Sequence, residues 1–238
     1  MTLVLAIDLG GSALKASLFD EAGRVVASAR GTVAFSEPRD GWSEAEPERW
    51  WEALGDAVEA MTATAGIAPG DVGMVAACGF TRTQVLLDRD DRPVRPAIGF
   101  RDRRAAAHAE TMQARADSSF DARQLNGFHP LARLMWLRDN EPEAWRRVAR
   151  VVEPKDYLNL RLTGTAMSDE VSLHTLTAAF AGGPDSLAAR CGVDRAPLPL
   201  LGRPLDVVGT VRAGLPGAFG RLADAQVMLG SNDTWMAV

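Results

Sequence analysis

The spacing of apolar positions near the start of the chain predicts strands before it predicts helices. Leu3-Val4-Leu5-Ala6-Ile7 is an unbroken apolar run, and its short length and branched residues predict a strand buried on both faces. Asp8 then falls at the end of a strand, facing a crevice. After Gly10-Gly11, residues Leu14, Ala16 and Leu18 alternate with Lys15, Ser17 and Phe19, the period of a second strand. Asp20-Glu21-Ala22-Gly23 reads as a turn and Arg24 to Ala29 as a third strand, so the chain opens with an antiparallel meander. Pro47 suits the first turn of a helix, and Trp50, Leu54, Val58 and Met61 recur at helical spacing up to the Gly66 to Gly70 loop. Val72 to Cys78 predicts a fourth strand, and Gln84 to Leu87 a short fifth one ended by the Asp88 to Pro93 turn.

Beyond Arg101 the pattern becomes helical, with His108 and Met112 on one face, followed by helices over Leu131 to Arg138, Pro142 to Arg150 and Asp156 to Leu162. The last should stop at Gly164. Gly182-Gly183-Pro184 and the Pro197 to Pro204 stretch read as loops, and Val207 to Val211 and Gln226 to Leu229 as late strands. Gly230-Ser231-Asn232-Asp233 has the form of a strand-to-helix turn, with Asn232 or Asp233 as N-cap. A helix made only of the residues that follow cannot nucleate alone, and Trp235-Met236-Ala237-Val238 would lack an apolar partner. The expectation is that the natural polypeptide continues beyond Val238.

Strand, strand, strand, helix, strand is an order that resembles the ribonuclease H-like fold of actin, heat-shock ATPases and sugar kinases. The expected class is therefore α/β, an actin/hexokinase-type ATPase fold with a mixed five-stranded sheet and flanking helices. Composition narrows the setting. With 238 residues, 47% of them apolar, the chain can fill one large domain or two small ones. No segment is long and apolar enough to cross a membrane, and no basic leader precedes the first strand. Cys78 and Cys191 stand in unrelated contexts, which argues against a disulfide framework or a cysteine zinc site and favours a cytoplasmic location. The net charge is -5, and the local cluster Arg101, Arg103 and Arg104 does not extend into a basic face, so neither nucleic acid nor a membrane is an expected partner.

Chemistry concentrates in Asp8-Leu9-Gly10-Gly11-Ser12-Ala13-Leu14-Lys15. A carboxylate, a tight glycine turn, a hydroxyl and a cation suit nucleotide phosphates and their metal ion. The strand after the turn excludes a dinucleotide fold, whose glycine turn opens a helix, and the P-loop spacing is missing. Taken alone, Asp-x-Gly-Gly is equally an ordinary hairpin turn.

Six motifs in order make the resemblance specific. They are the Asp8 to Lys15 turn; Gly41-Trp42-Ser43-Glu44; Gly79 with Val85-Leu86-Leu87-Asp88; Phe100-Arg101-Asp102-Arg103-Arg104; Pro154-Lys155-Asp156-Tyr157-Leu158 with Arg161-Leu162-Thr163-Gly164; and Gly230-Ser231-Asn232-Asp233. The whole chain resembles the N-terminal lobe of a xylulokinase-like member of the FGGY family of carbohydrate kinases. That resemblance implies ATP and Mg2+ as cofactors and a small-molecule sugar or polyol as substrate. Residues 1–230 would form the substrate-side lobe, and 231–238 the start of a nucleotide-binding lobe that is otherwise absent. It implies Asp233 as catalytic base, Asp8 as metal carboxylate, and Gly10, Gly11, Ser12 and Lys15 as the phosphate cradle. A homodimer is one assembly left open.

The sequence departs from the family at the sugar. Gly79-Phe80-Thr81-Arg82-Thr83 stands where xylulokinases commonly read Gly-Gln-Met-His-Gly, and Phe100-Arg101-Asp102 where they read Trp-x-Asp. Thr81, Arg82, Phe100 and Asp102 are therefore the candidate substrate contacts. The Arg82 fork suits vicinal hydroxyls or an acidic group, which leaves ketoses, polyols and acidic sugars open. The scattered His108, His129 and His174 do not suggest a metal site, and Trp50, Trp136 and Trp145 read as core. A non-catalytic, ligand-sensing actin-like module is the alternative reading, against which the intact Asp233 counts.

Overall fold

The computed structural model describes residues 2–236, the side chains of Trp235 and Met236 excepted. The apolar tail expected to seek a partner, Trp235 to Val238, lies in its side chains and last two residues outside the described residues.

The opening hairpin is β1 (Leu3–Leu9) and β2 (Ala13–Phe19), and β3 (Val25–Thr32) completes the meander. The two-residue strand β4 (Glu44–Ala45) precedes helix α1 (Pro47–Ala65), which has proline in its first turn and ends at Gly66 in the left-handed conformation. Then come β5 (Val72–Gly79), β6 (Val85–Leu87) and β7 (Ala97–Ile98). Helices α2 (Ala106–Arg115), α3 (Pro130–Asn140) and α4 (Pro142–Arg147) lead into β8 (Arg150–Val152). Next are α5 (Pro154–Thr163), closed by left-handed Gly164, and β9 (Met167–Asp169). Short helices α6 (His174–Phe180) and α7 (Leu187–Arg190) are followed by β10 (Leu200–Gly202), β11 (Val207–Thr210), β12 (Gln226–Met228) and α8 (Asp233–Met236).

The central sheet is mixed and has six strands rather than five, in the order β11-β12-β5-β1-β2-β3. The expected fifth strand, Val85–Leu87, leaves this sheet and pairs with β8. The late strands take its place: β12 runs parallel to β5, and β11 antiparallel to β12. The helix expected over Pro142 to Arg150 ends at Arg147, and Arg150 opens strand β8. Within the Pro197 to Pro204 stretch read as a loop, β10 pairs with β9.

Burial in β1 alternates. Leu3, Leu5, Ile7 and Leu9 are fully buried in one cluster with Trp50, Leu54 and Val58 of α1 and Leu158 and Leu162 of α5. Val4, Ala6 and Asp8 are only half-buried. The sheet thus has one closely covered face and one partly open face, and Asp8 belongs to the open one. A second apolar cluster gathers Met112, Leu134, Met135, Trp136, Leu176 and Leu187 among the later helices.

Candidate functional site

Strands β1, β5 and β12 run parallel, so their C-terminal ends open together on one crevice, where ligands sit in open α/β sheets. Asp8 lies near the end of β1, Gly79 ends β5, and Asp233 follows β12. Because β5 lies between the other two, the carboxylates of Asp8 and Asp233 come from its two sides. Cys78 of β5 pairs in register with Asp8, and its thiol donates to Asp8 Oδ1 at 3.8 Å. Burial, the Asp8 charge and hydrogen bond, and then the Asp233 charge push the Cys78 thiol up to about 11. One thiol therefore senses both carboxylates.

That coupling can be read out directly. At pH 8 to 9 the thiolate is scarce, and Asp8→Asn removes two of the causes that suppress it, so Cys78 alkylation is expected to accelerate several-fold. Cys191 is buried and provides little background. An unchanged rate-against-pH curve would show that Asp8 does not reach the thiol.

In the hairpin turn the Gly10 amide donates to Ala13 O at 3.0 Å. That bond closes the turn. A Cβ on Gly11 would lie 3.0 Å from Phe100 Cε1, so only glycine lets that ring lie against the turn. The amides of Gly11 and Ser12 make no hydrogen bond among the described residues. Together with the Ser12 hydroxyl and the Asp8 carboxylate, 42% exposed, they form a donor set that fits phosphate oxygens and a divalent cation. Lys15, opposite Asp8 in the ladder, places Nζ 3.0 Å from Asp8 Oδ2 while 59% exposed. Here it partners the carboxylate, and a pair this exposed contributes little to stability.

The turn before Asp233 is held from below. Gly230 has φ 69°, and Asn232 bridges to Gly79 in parallel fashion. Beneath it, Lys155 is buried with Asp156 and Asp169, ion-paired to both, and donates to Leu229 O at 3.2 Å. Asn159 donates to the same carbonyl at 3.0 Å, Ser231 Oγ to Asp169 Oδ1 at 2.9 Å, and Asn232 Nδ2 to Ser172 Oγ at 3.3 Å. Burial opposes the charge on Lys155, but its two carboxylate partners hold its amine above the ordinary value. Burial likewise opposes ionisation of Asp169, yet Lys155 and Ser172 hold its carboxyl below the usual range. Asp156 doubles as the N3 member of the capping box that starts α5. No local pattern in the sequence links Lys155 to this turn, because the carbonyl it meets, Leu229 O, lies 74 residues away.

A cleft of about 650 Å³ opens beside Asn232 and Thr234, the neighbours of Asp233. Thr81 and Arg82 line it. Phe100 and Asp102 do not. Phe100 instead joins Phe35 and Phe80 in an edge-to-face aromatic group behind the hairpin turn. Asp102 is fully buried and accepts from the Ser43 amide at 2.7 Å, the Arg104 amide at 3.0 Å, and Arg104 Nε and Nη2 at 2.8 and 2.7 Å. Both of its oxygens thus accept from the framework, and it stands away from the cleft that Thr81 and Arg82 line. Arg133, which the sequence reading did not single out, is buried at the cleft and donates to Arg82 O at 2.6 Å and Gly99 O at 2.7 Å. Burial pushes its guanidinium down to about 10.

A mixed sheet with Asp8 near the end of β1, Asp233 beyond β12 and a glycine hairpin between β1 and β2 is the architecture shared with the N-terminal half of solved sugar-kinase structures. The N-terminal domain of the FGGY family of carbohydrate kinases matches residues 3–238, and the chain belongs to that family. It is xylulose kinase-like: it is 32% identical over 237 residues to a xylulose kinase of Escherichia coli strain K12, covering 97% of this chain and 48% of that protein. The structure of a Brucella ovis xyloylose kinase superposes with a TM-score of 0.82 at 30% identity, covering 98% of this chain and 48% of the other. Plasmodium falciparum glycerol kinase with ADP gives a TM-score of 0.85 at 16% identity, covering 100% and 49%, a likeness of fold. The chain spans about half the length of the curated relatives it matches. Among the described residues no helix is long and apolar enough to cross a membrane.

Proposed function

We propose that this chain is the substrate-side lobe of a cytoplasmic, ATP-dependent kinase that phosphorylates a hydroxyl of a sugar or polyol. The observation that carries the proposal is the pair Asp8 and Asp233, on either side of β5 and both acting on Cys78. Bound ATP with Mg2+ would supply the phosphoryl group and neutralise its charge. Asp8 would hold the metal ion, and the Gly11 and Ser12 amides with the Ser12 hydroxyl would hold phosphate oxygens. Asp233, in the first turn of α8, would accept the proton of the attacking hydroxyl. The buried Lys155 network fixes the turn that carries it. Residues from about 231 onward would begin a second lobe with the adenosine pocket, whose closure excludes water.

An ADP-release assay across ketoses, polyols and aldonates, run on a longer chain carrying both lobes, tests this reading. Turnover is expected with at least one class, to be abolished by chelation of divalent cations, and to fall at least about 10²-fold in Asp233→Ala. Residues 1–238 alone are expected to show little transfer. No turnover with any compound, or an unchanged rate in Asp233→Ala, would refute the mechanism and favour a ligand-sensing module.

A further inference from the structure

The cleft beside Asp233 is richer in cations than a site for a neutral sugar requires. Three arginines line it, Arg82, Arg123 and Arg133, against two carboxyl residues, Glu153 and Glu170. Glu153 is buried, and burial followed by the charge of Asp156 holds its carboxyl well above the usual range, so it offsets little of that charge. The three arginines differ in what they can do for a ligand. Arg133 is fully buried and spends Nη1 and Nη2 on the carbonyls of Arg82, Ile98 and Gly99, while its Nε has no partner among the described residues. Arg123 is occupied by Asp121, which takes its Nε and Nη2. Arg82 is exposed, and among the described residues its guanidinium has no hydrogen-bond or ion-pair partner.

The backbone of Arg82 is also unusual. Its φ is 58°, a left-handed conformation that is strained for a residue with a side chain. The Arg133 bond to its carbonyl holds it there. A strained residue persists only when its surroundings over-determine it, and such residues collect at ligand sites. The outcome is an unpaired planar fork rooted firmly at the wall of the cleft that also contains the neighbours of Asp233. A fork of that kind matches a carboxylate through two parallel N–H···O bonds. The opposite charges in the crevice, Asp8 and Asp233, would turn the anionic end of such a ligand away from the base and leave a hydroxyl end facing it.

We propose that Arg82 is the specificity-determining residue of this cleft and that its ligand is a sugar acid, a polyhydroxy carboxylate of the aldonate class, clamped by Arg82 through its carboxylate. This deepens the kinase reading and rests on it for the phosphoryl step, though not for binding. The test is calorimetric titration of the 238-residue chain and of the longer chain with D-gluconate and D-xylonate, each beside its matched alditol, and with D-xylulose. Aldonates are expected to bind at least tenfold more tightly than their alditols. Arg82→Gln should abolish that preference, and so should Arg82→Gly, which relieves the backbone strain and keeps the left-handed turn. Thermal unfolding of Arg82→Gly at or above the parent's temperature shows that the loss comes from the side chain.

Alditols or D-xylulose binding as tightly as the aldonates overturns the inference. So does an aldonate preference that survives both substitutions, or failure of every aldonate to bind either chain. In the ADP-release assay, turnover of neutral sugars without aldonates overturns this inference and leaves the kinase reading intact. Arg82-dependent aldonate binding without turnover of any compound upholds this inference and overturns the kinase reading.

Discussion

Replacing Gly230 by alanine is expected to remove about 3 kcal/mol or more of stability from the 238-residue chain, and to release the turn that carries Asp233. Two effects contribute, and their sizes can be separated. A left-handed conformation costs a non-glycine residue about 1 kcal/mol, which an exposed turn absorbs. The larger effect is steric: a Cβ at residue 230 would lie 1.9 Å from the carbonyl oxygen of Ala77 in β5. Backbone cannot yield as a side-chain tip would, so the turn must withdraw from β5 and break the bridge between Asn232 and Gly79. Gly214→Ala is the control, because its φ is 77° and nothing lies within 4 Å of the added carbon. It is expected to cost only the conformational part, about 1 kcal/mol. Urea titration of both variants measures the difference, and equal losses would mean that the 230 turn does not press on β5.

Lys155→Met is the second change with a large expected effect, about 3–5 kcal/mol, because it leaves two carboxylates buried without their cation. Lys155, Asp156 and Asp169 are all fully buried, so water cannot replace the lost charge. The pH dependence follows from the sign of the shifts. In the parent, Asp169 is held below the usual carboxyl value, so its stabilising contribution is present at neutral pH and is lost as pH falls through that lowered value. In the variant, burial without Lys155 raises Asp169 above its unfolded value and pushes Asp156, which burial already raises in the parent, further up, so the deficit is greatest at neutral pH and shrinks on acidification. Adding Asp169→Asn to Lys155→Met is expected to recover part of the loss. Thermal unfolding across pH 5 to 8 checks this, and a pH-independent deficit would point to lost packing instead. Because Lys155 also donates to Leu229 O, the same variant should lower turnover in a longer chain by displacing Asp233.

Much of this was legible in the sequence because the signals were local. The alternation through β2, the proline at the start of α1, and Gly66 and Gly164 at the ends of α1 and α5 each act within a few residues. The structure reproduces those elements closely. The resemblance carried by short motifs likewise needed no structure, since it rested on residue types in order. Where the reading failed, the deciding partner was far along the chain. Val85–Leu87 has the composition of any short buried strand; Arg150–Val152 drew it out of the central sheet. Asp102 resembles a sugar acceptor until Ser43 and Arg104 fill its oxygens.

By itself, then, the sequence determined the hairpin with Asp8, the helical framework behind it, the resemblance to the FGGY carbohydrate kinases and the departure at Thr81 and Arg82. Only the tertiary structure decided that β12 inserts beside β5, that Lys155 supports the Asp233 turn across 74 residues of sequence, and that the Arg82 guanidinium stands at the cleft with no partner among the described residues. The physical reason is the range of the forces. Backbone propensity and capping act between near neighbours, whereas strand partnership and the charge state of a buried group depend on which distant residues fold against them.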